Sequence, residues 1–111
     1  MKAWSITYYN VAVKQEILSL PDTLIAKYIK LSNLMINYGA NLGMPHTKAL
    51  GNGLFELRLK GQEGIARVFY CTAIGKEIVM LHSFIKKTNK LPYKELNLAK
   101  ERLKEIQNEK S

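Results

Sequence analysis

Apolar residues recur along this chain at two different spacings, and the change between them divides it into parts. Val13, Ile17 and Leu20 fall on one face of a helix read from Val11 to Leu20. Leu24, Tyr28, Leu31, Met35 and Tyr38 continue the three-and-four spacing as far as Gly39, which is expected to close this helix as a left-handed C-terminal cap. Pro21 separates the two stretches and costs nothing in the first turn of the second, so together they predict a helical hairpin. Before them, Ala3 to Tyr9 mixes β-branched and aromatic residues and reads as a strand. The glycine- and asparagine-rich segment Gly39 to Gly53 reads as loop. From Leu54 onward, LFELRLKGQEGIARVFYCTAIGKEIVMLHSF reads as three short strands joined by tight turns. Leu96, Ala99, Leu103 and Ile106 then form one apolar seam on a last helix opened by Pro92, and the tail beyond Ile106 is expected to fray. The predicted architecture is α+β. An N-terminal helical hairpin packs on a twisted, mainly antiparallel sheet of about four strands, a C-terminal helix follows, and residues 1–111 form one domain.

Register decides which side chains share a face of the sheet. Gly75-Lys76 suits a two-residue type II′ turn, which sets Ile74 opposite Glu77, Phe69 opposite His82 and Arg67 opposite Phe84. With Gly61 to Gly64 as the preceding loop, Arg58 lies opposite Arg67. One face then carries Glu56, Arg58, Arg67, Phe69, Cys71, Met80, His82 and Phe84. The other carries Leu57, Val68, Tyr70, Val79, Leu81 and Ile85, and is the better candidate for packing on the helices. Two facing arginines repel unless a negative charge sits between them, supplied diagonally by Glu56 or from outside by a phosphate.

Charge changes the picture further. The formal net charge is +8 and the pI about 9.6, which suits nucleic acid, an anionic membrane surface or an acidic protein. Cys71 is the single cysteine, so no intramolecular disulfide forms, and it is expected to pack as a small apolar residue in a reducing compartment. Met1 to Ser5 lacks the apolar core of a signal peptide and no run approaches membrane-spanning length, so the expected location is the cytoplasm, with no membrane partner.

Candidate chemistry follows by subtraction. One cysteine and two widely separated histidines make no metal set, and neither a phosphate-cradling glycine loop nor a nucleophile elbow is present, so no cofactor is expected. Arginine, lysine, histidine and tyrosine remain. These types suit RNA cleavage, in which the 2′-hydroxyl attacks its own phosphate, cations stabilise the dianion that develops and an acid protonates the departing 5′-oxygen. Lys86, Lys87 and Lys90 follow the last strand, with no acid between Glu77 and Glu95 to balance them. His46, after Pro45, is expected to be an exposed loop residue. If Arg67 serves RNA, its loss is expected to relieve repulsion with Arg58, so that stability changes little or rises slightly.

Lys48-x-Leu50, then Gly53-Leu54-Phe55-Glu56-Leu57-Arg58, Arg67-x-x-Tyr70 and His82-x-Phe84-x-Lys86-Lys87-x-x-Lys90-x-Pro92 together resemble the RelE/ParE toxin superfamily, and within it the HigB-like, phage-derived branch. The resemblance spans nearly the whole chain. It implies the toxin of a bacterial type II toxin–antitoxin pair, an endoribonuclease cutting messenger RNA in the ribosomal A site, with a small helix-turn-helix antitoxin as partner. Arg67 matches the central strand arginine that stabilises the transition state in RelE-like members. Lys87 matches a basic position ending the last strand, and Tyr93 falls where RelE-like members carry an acid–base tyrosine. His82 completes the catalytic candidates, and Lys48, Arg58, Lys86 and Lys90 are the candidates for binding RNA or the ribosome. A ParE-like gyrase inhibitor and a non-catalytic nucleic-acid-binding domain are the alternatives.

Overall fold

The computed structural model describes residues 3–90 and 92–110. Two short elements open it, the strand β1 (Ser5–Tyr8) and the helix α1 (Val11–Leu18). Asn10 caps α1, its side-chain carbonyl accepting from the Val13 backbone N–H at 2.8 Å. Pro21 stands at the N-cap of α2 (Asp22–Tyr38), where its carbonyl accepts from the N–H groups of Leu24 and Ile25 at 2.9 Å each. The hairpin of helices is therefore as expected, with α1 two residues shorter than its periodicity suggested, although Leu20 remains buried. Gly39 takes a positive φ of 106° with an extended ψ of 169°, so it leaves the helix directly instead of completing a left-handed cap.

The sheet has five strands, in the order β1-β5-β4-β3-β2. β2 (Thr47–Gly51) lies within the segment read as loop, which is one correction. It is an edge strand with four of its five residues exposed, so it carries no apolar alternation by which a sequence pattern could reveal it. β3 (Leu54–Gly61), β4 (Gly64–Ala73) and β5 (Glu77–Lys86) form the antiparallel centre, and β1 adds to β5 in parallel.

Arg58 pairs with Arg67, Arg67 with Phe84 and Phe69 with His82, as the sequence register predicts. The β4–β5 turn differs. Ala73, not Ile74, faces Glu77, which leaves a three-residue turn in which Gly75 and Lys76 both adopt positive φ. A bulge restores the register: Phe69 pairs with His82 but Tyr70 with Met80, leaving Leu81 unopposed. The two displacements cancel beyond the bulge and not before it. Met80 therefore packs with the helical hairpin, while Val79 and Leu81 turn to the opposite face, which corrects the expected assignment of all three.

Both faces of the sheet are covered, unequally. Against α1 and α2 lies the larger core, including Ile17, Leu24, Tyr28, Leu31, Met35, Leu57, Leu59, Ala66, Val68 and Tyr70. Across the other face runs α3 (Tyr93–Lys110), whose Ala99, Leu103 and Ile106 pack on Leu54, Phe69, Cys71, Val79 and Leu81. The helix continues past Ile106, so the expected fraying does not begin there; Ser111 lies outside the described residues. Arg102 ties α3 to the bulge, donating from Nη1 to the Leu81 carbonyl at 2.7 Å with its guanidinium 4.7 Å from the Tyr9 ring centroid. Tyr9 in turn donates to the Glu105 carboxylate. No described helix is long and apolar enough to cross a membrane.

Candidate functional site

On the α3 side, the helix covers only the end of the sheet nearest the β4–β5 turn. At the other end the strand alternation continues with charged residues. β3 contributes Glu56, Arg58 and Lys60, β4 contributes Ile65 and Arg67, and β5 contributes Phe84 and Lys86, the last directly opposite Ile65. Lys48 on β2 joins this face opposite Glu56 and is exposed.

Arg67 is the centre of the cluster and only 7% exposed. Its Nε lies 3.5 Å from Glu56 Oε1 and its Nη1 donates to the Ala66 carbonyl at 3.2 Å. Burial lowers the guanidinium's pKa from its ordinary value, Glu56 opposes this and the Arg58 charge adds to it. Of the two sources of negative charge the sequence allowed, Glu56 is therefore present in the free protein. Losing Arg67 would therefore leave a largely buried carboxylate without its partner, besides relieving any repulsion with Arg58. Arg58 is less enclosed; its Nη1 lies 3.5 Å from Met44 Sδ and its backbone N–H donates to the His46 carbonyl at 2.8 Å.

His82 is also buried. Its Nε2 lies 3.3 Å from Glu95 Oε1 near the start of α3, its ring stacks on Phe84 at 6.1 Å, and its Nδ1 is buried with no partner among the described residues. The bulge explains the placement, since it turns both Leu81 and His82 towards α3. Lys86 is half-buried. Lys87 is exposed and lines a recess of about 240 Å³ with Lys86, Ile65, Thr88 and Asn89. Lys90 and Tyr93 (65% exposed) lie on the connection to α3 and at its first turn, with no hydrogen bond or ion pair to either arginine.

The fold thus gathers Arg58, Arg67, His82 and Lys86 on one face, with Lys87 beside Lys86 in the recess, while Lys90 and Tyr93 stay on the connection to α3 and in its first turn. It also recruits groups the sequence pattern did not single out. Lys27 of α2, Lys60 and His46 line a cleft of about 490 Å³ beside Arg58 and Arg67. Lys27 comes from a helix on the opposite side of the sheet, so no local spacing could have found it. His46 is half-buried against β3 and is not the freely exposed loop residue expected.

A loop that could wander is held. Thr47, 1% exposed, accepts at Oγ1 from the Gly43 N–H (2.8 Å) and donates to Asn41 Oδ1 (3.3 Å). Tyr70 donates to the Ala40 carbonyl at 2.6 Å, and burial pushes its hydroxyl up to about 12, which keeps the proton on the donor. Segment 40–47 is therefore anchored at both ends next to Arg58.

A face with this many cations and few free carboxylates attracts anions, and two arginines set across adjacent strands can share one phosphate. A family model described as Phage derived protein Gp49-like (DUF891) matches residues 15–104, a span that contains every candidate residue from Lys27 to Tyr93. No curated protein matches the chain.

Proposed function

Because the chain belongs to the phage-derived Gp49-like family, we propose that it is the toxin of a bacterial type II toxin–antitoxin pair, of the RelE/ParE superfamily and its HigB-like branch, and that it is a metal-independent endoribonuclease acting on ribosome-bound messenger RNA. The observation that carries this reading is the Arg58–Arg67 pair, opposed across β3 and β4 on a face that α3 leaves open. One carboxylate reaches Arg67, at 3.5 Å, and none is paired with Arg58 among the described residues. Such a pair holds cationic capacity in reserve for a ligand that brings more negative charge than Glu56 supplies.

In this reading the scissile phosphate sits over Arg58 and Arg67. The 2′-oxygen forms a bond to phosphorus as it loses its proton, the bond from phosphorus to the 5′-oxygen breaks, and that oxygen takes up a proton. The products are a 2′,3′-cyclic phosphate and a 5′-hydroxyl. The two guanidiniums, with Lys86 and Lys87, stabilise the charge that grows on the phosphoryl oxygens. Tyr93, His82 and Lys87 are the groups able to carry the protons. They differ in access: Tyr93 and Lys87 are exposed, whereas His82 is held against Glu95 beneath Phe84. A chain with so few groups to orient the 2′-hydroxyl needs in-line geometry imposed from outside, and the ribosome supplies that constraint. The partner antitoxin is a small helix-turn-helix protein, and the site of action is the cytoplasm.

The test is to map transcript 5′ ends after inducing the protein, alongside a DNA supercoiling assay. Cleavage inside translated messages, with naked RNA cut far more slowly, is expected. Intact transcripts with accumulating gyrase-dependent DNA breaks would overturn the ribonuclease reading in favour of gyrase inhibition.

A further inference from the structure

β2 pairs with β3 only as far as Thr47 opposite Leu57, and then His46 turns the chain away. The edge of β3 beyond Arg58 is therefore uncovered by β2, and the cleft of about 490 Å³ opens there, between α2 and the Met44–Pro45–His46 segment. Its walls differ chemically. Lys27, Arg58, Lys60 and Arg67 supply four cations; among the described residues no carboxylate lines the cleft, and of the four only Arg67 is ion-paired, to Glu56. Beside them, Met44 (61% exposed), Pro45 and His46 line the same cleft as a less polar shelf, with Met44 Sδ 3.5 Å from Arg58 Nη1. The anchored loop holds that shelf in place before any ligand arrives, through the Thr47 and Tyr70 hydrogen bonds.

We infer that this cleft binds one nucleotide of single-stranded RNA adjacent to the scissile phosphate, its phosphate on Lys27 and Lys60 and its base against the Met44–Pro45–His46 shelf. The inference rests on the ribonuclease reading and extends it to a substrate subsite. Cations alone would suit any anion; the less polar shelf beside them suits the face of a base, the pairing by which single strands are held without sequence readout. The volume falls in the range of about 300–1,000 Å³ that small-molecule sites occupy. Position agrees as well. Arg58 and Arg67 line both the cleft and the centre, and Ile65 lines both the cleft and the Lys86–Lys87 recess. A strand crossing the face meets the recess, the arginine pair and then the cleft.

The experiment measures binding of a 5′-fluorescein-labelled uridine hexanucleotide to the purified protein by anisotropy, between 50 and 200 mM salt, a window of about that width being where phosphate contacts show. Lys27→Gln/Lys60→Gln is expected to weaken binding about tenfold and to lower the slope of log affinity against log salt by about 1.4, or roughly 0.7 per lost contact. Met44→Ser is expected to weaken binding a few-fold with the slope unchanged. Lys60→Gln alone, at an exposed position, carries the charge arm should the double variant fail to fold. If both lysine variants bind like the wild type with an unchanged slope while the induced wild type still cuts transcripts, the subsite is wrong and the ribonuclease reading stands. If the wild type neither binds RNA nor cuts transcripts, both fail together. If oligoglutamate of equal length binds as tightly as RNA and loses as much in the double variant, the cleft serves an acidic protein segment and the nucleotide assignment is overturned.

Discussion

Two halves of the same sheet face, built from the same three strands, have opposite characters. Towards the β4–β5 turn, Leu54, Phe69, Cys71, Val79 and Leu81 lie under α3 and are at most 2% exposed. Towards the β3–β4 turn, the same alternation presents Arg58, Lys60, Arg67 and Lys86, and α3 does not reach them. The boundary runs through Phe69, Phe84 and His82, whose rings stack or tilt against one another. A domain this small cannot afford to leave a whole sheet face unburied. Confining burial to half a face keeps α3 attached while leaving a firm cationic floor, since the strands beneath it are clamped from the other side by α1 and α2.

The comparison predicts that substitutions in the covered half cost stability, whereas those in the open half cost function. Leu103→Ala should give the largest effect, lowering the unfolding free energy by about 2–5 kcal/mol through lost burial and a cavity beneath α3. Denaturant titration measures it, and under the proposed function growth arrest per folded molecule should persist. A loss of toxicity with unchanged stability would mean that α3 contributes directly to the site.

Arg67 belongs to the open half but is itself buried, so Arg67→Ala should show both effects. Growth arrest on induction is expected to weaken by about 10²-fold or more in cleavage rate. Stability should fall by about 1–3 kcal/mol, because Glu56 is left largely buried and unpaired. Adding Glu56→Gln should recover part of the stability and none of the toxicity. A destabilised yet fully toxic Arg67→Ala would remove Arg67 from the site. Arg67→Lys keeps the charge without the two-pronged geometry and should also be impaired.

Arg102→Met sharpens the comparison at the seam itself. The Leu81 carbonyl freed by the bulge would lose a charge-assisted hydrogen bond, at a cost of about 1–2 kcal/mol. Amide exchange should quicken first around Leu81 and His82, and unchanged protection there would show that the bulge does not depend on α3. The smallest effect belongs to Lys86→Gln. Stability should stay within about 0.5 kcal/mol, as for most surface changes, while the salt slope of RNA binding drops by about 0.7. A marked change in melting temperature would place Lys86 in the covered half's packing instead.

Much of this could be read from the chain. Helical spacing gave the hairpin at Pro21 and the seam of α3, because a buried helix face needs apolar residues at intervals its geometry fixes. Period-two alternation, with turn residues at Gly61–Gly64, placed Arg58 opposite Arg67 without any tertiary information. The β4–β5 turn shows the limit. A three-residue turn and a bulge at Leu81 offset each other, so the pairing at Arg67 came out right while the faces of Met80, Val79 and Leu81 came out reversed. A bulge leaves almost no local signature; here it is stabilised by Arg102, 21 residues away along the chain. β2 was hidden for a related reason, as an edge strand with one partner has no buried face to advertise.

The sequence by itself determined the type of every element except β2, the centre of the sheet register and the cationic identity of the open half, because each depends on spacing and residue chemistry within a few positions. Only the tertiary structure decided which end of the face α3 would cover, that Glu56 would neutralise Arg67, that His82 would turn to Glu95, and that Lys27 and His46 would meet at the edge of β3. Those outcomes depend on where distant segments cross, and the crossings are fixed by which arrangement buries both apolar helix faces at once, a property of the whole chain that no single stretch of it contains.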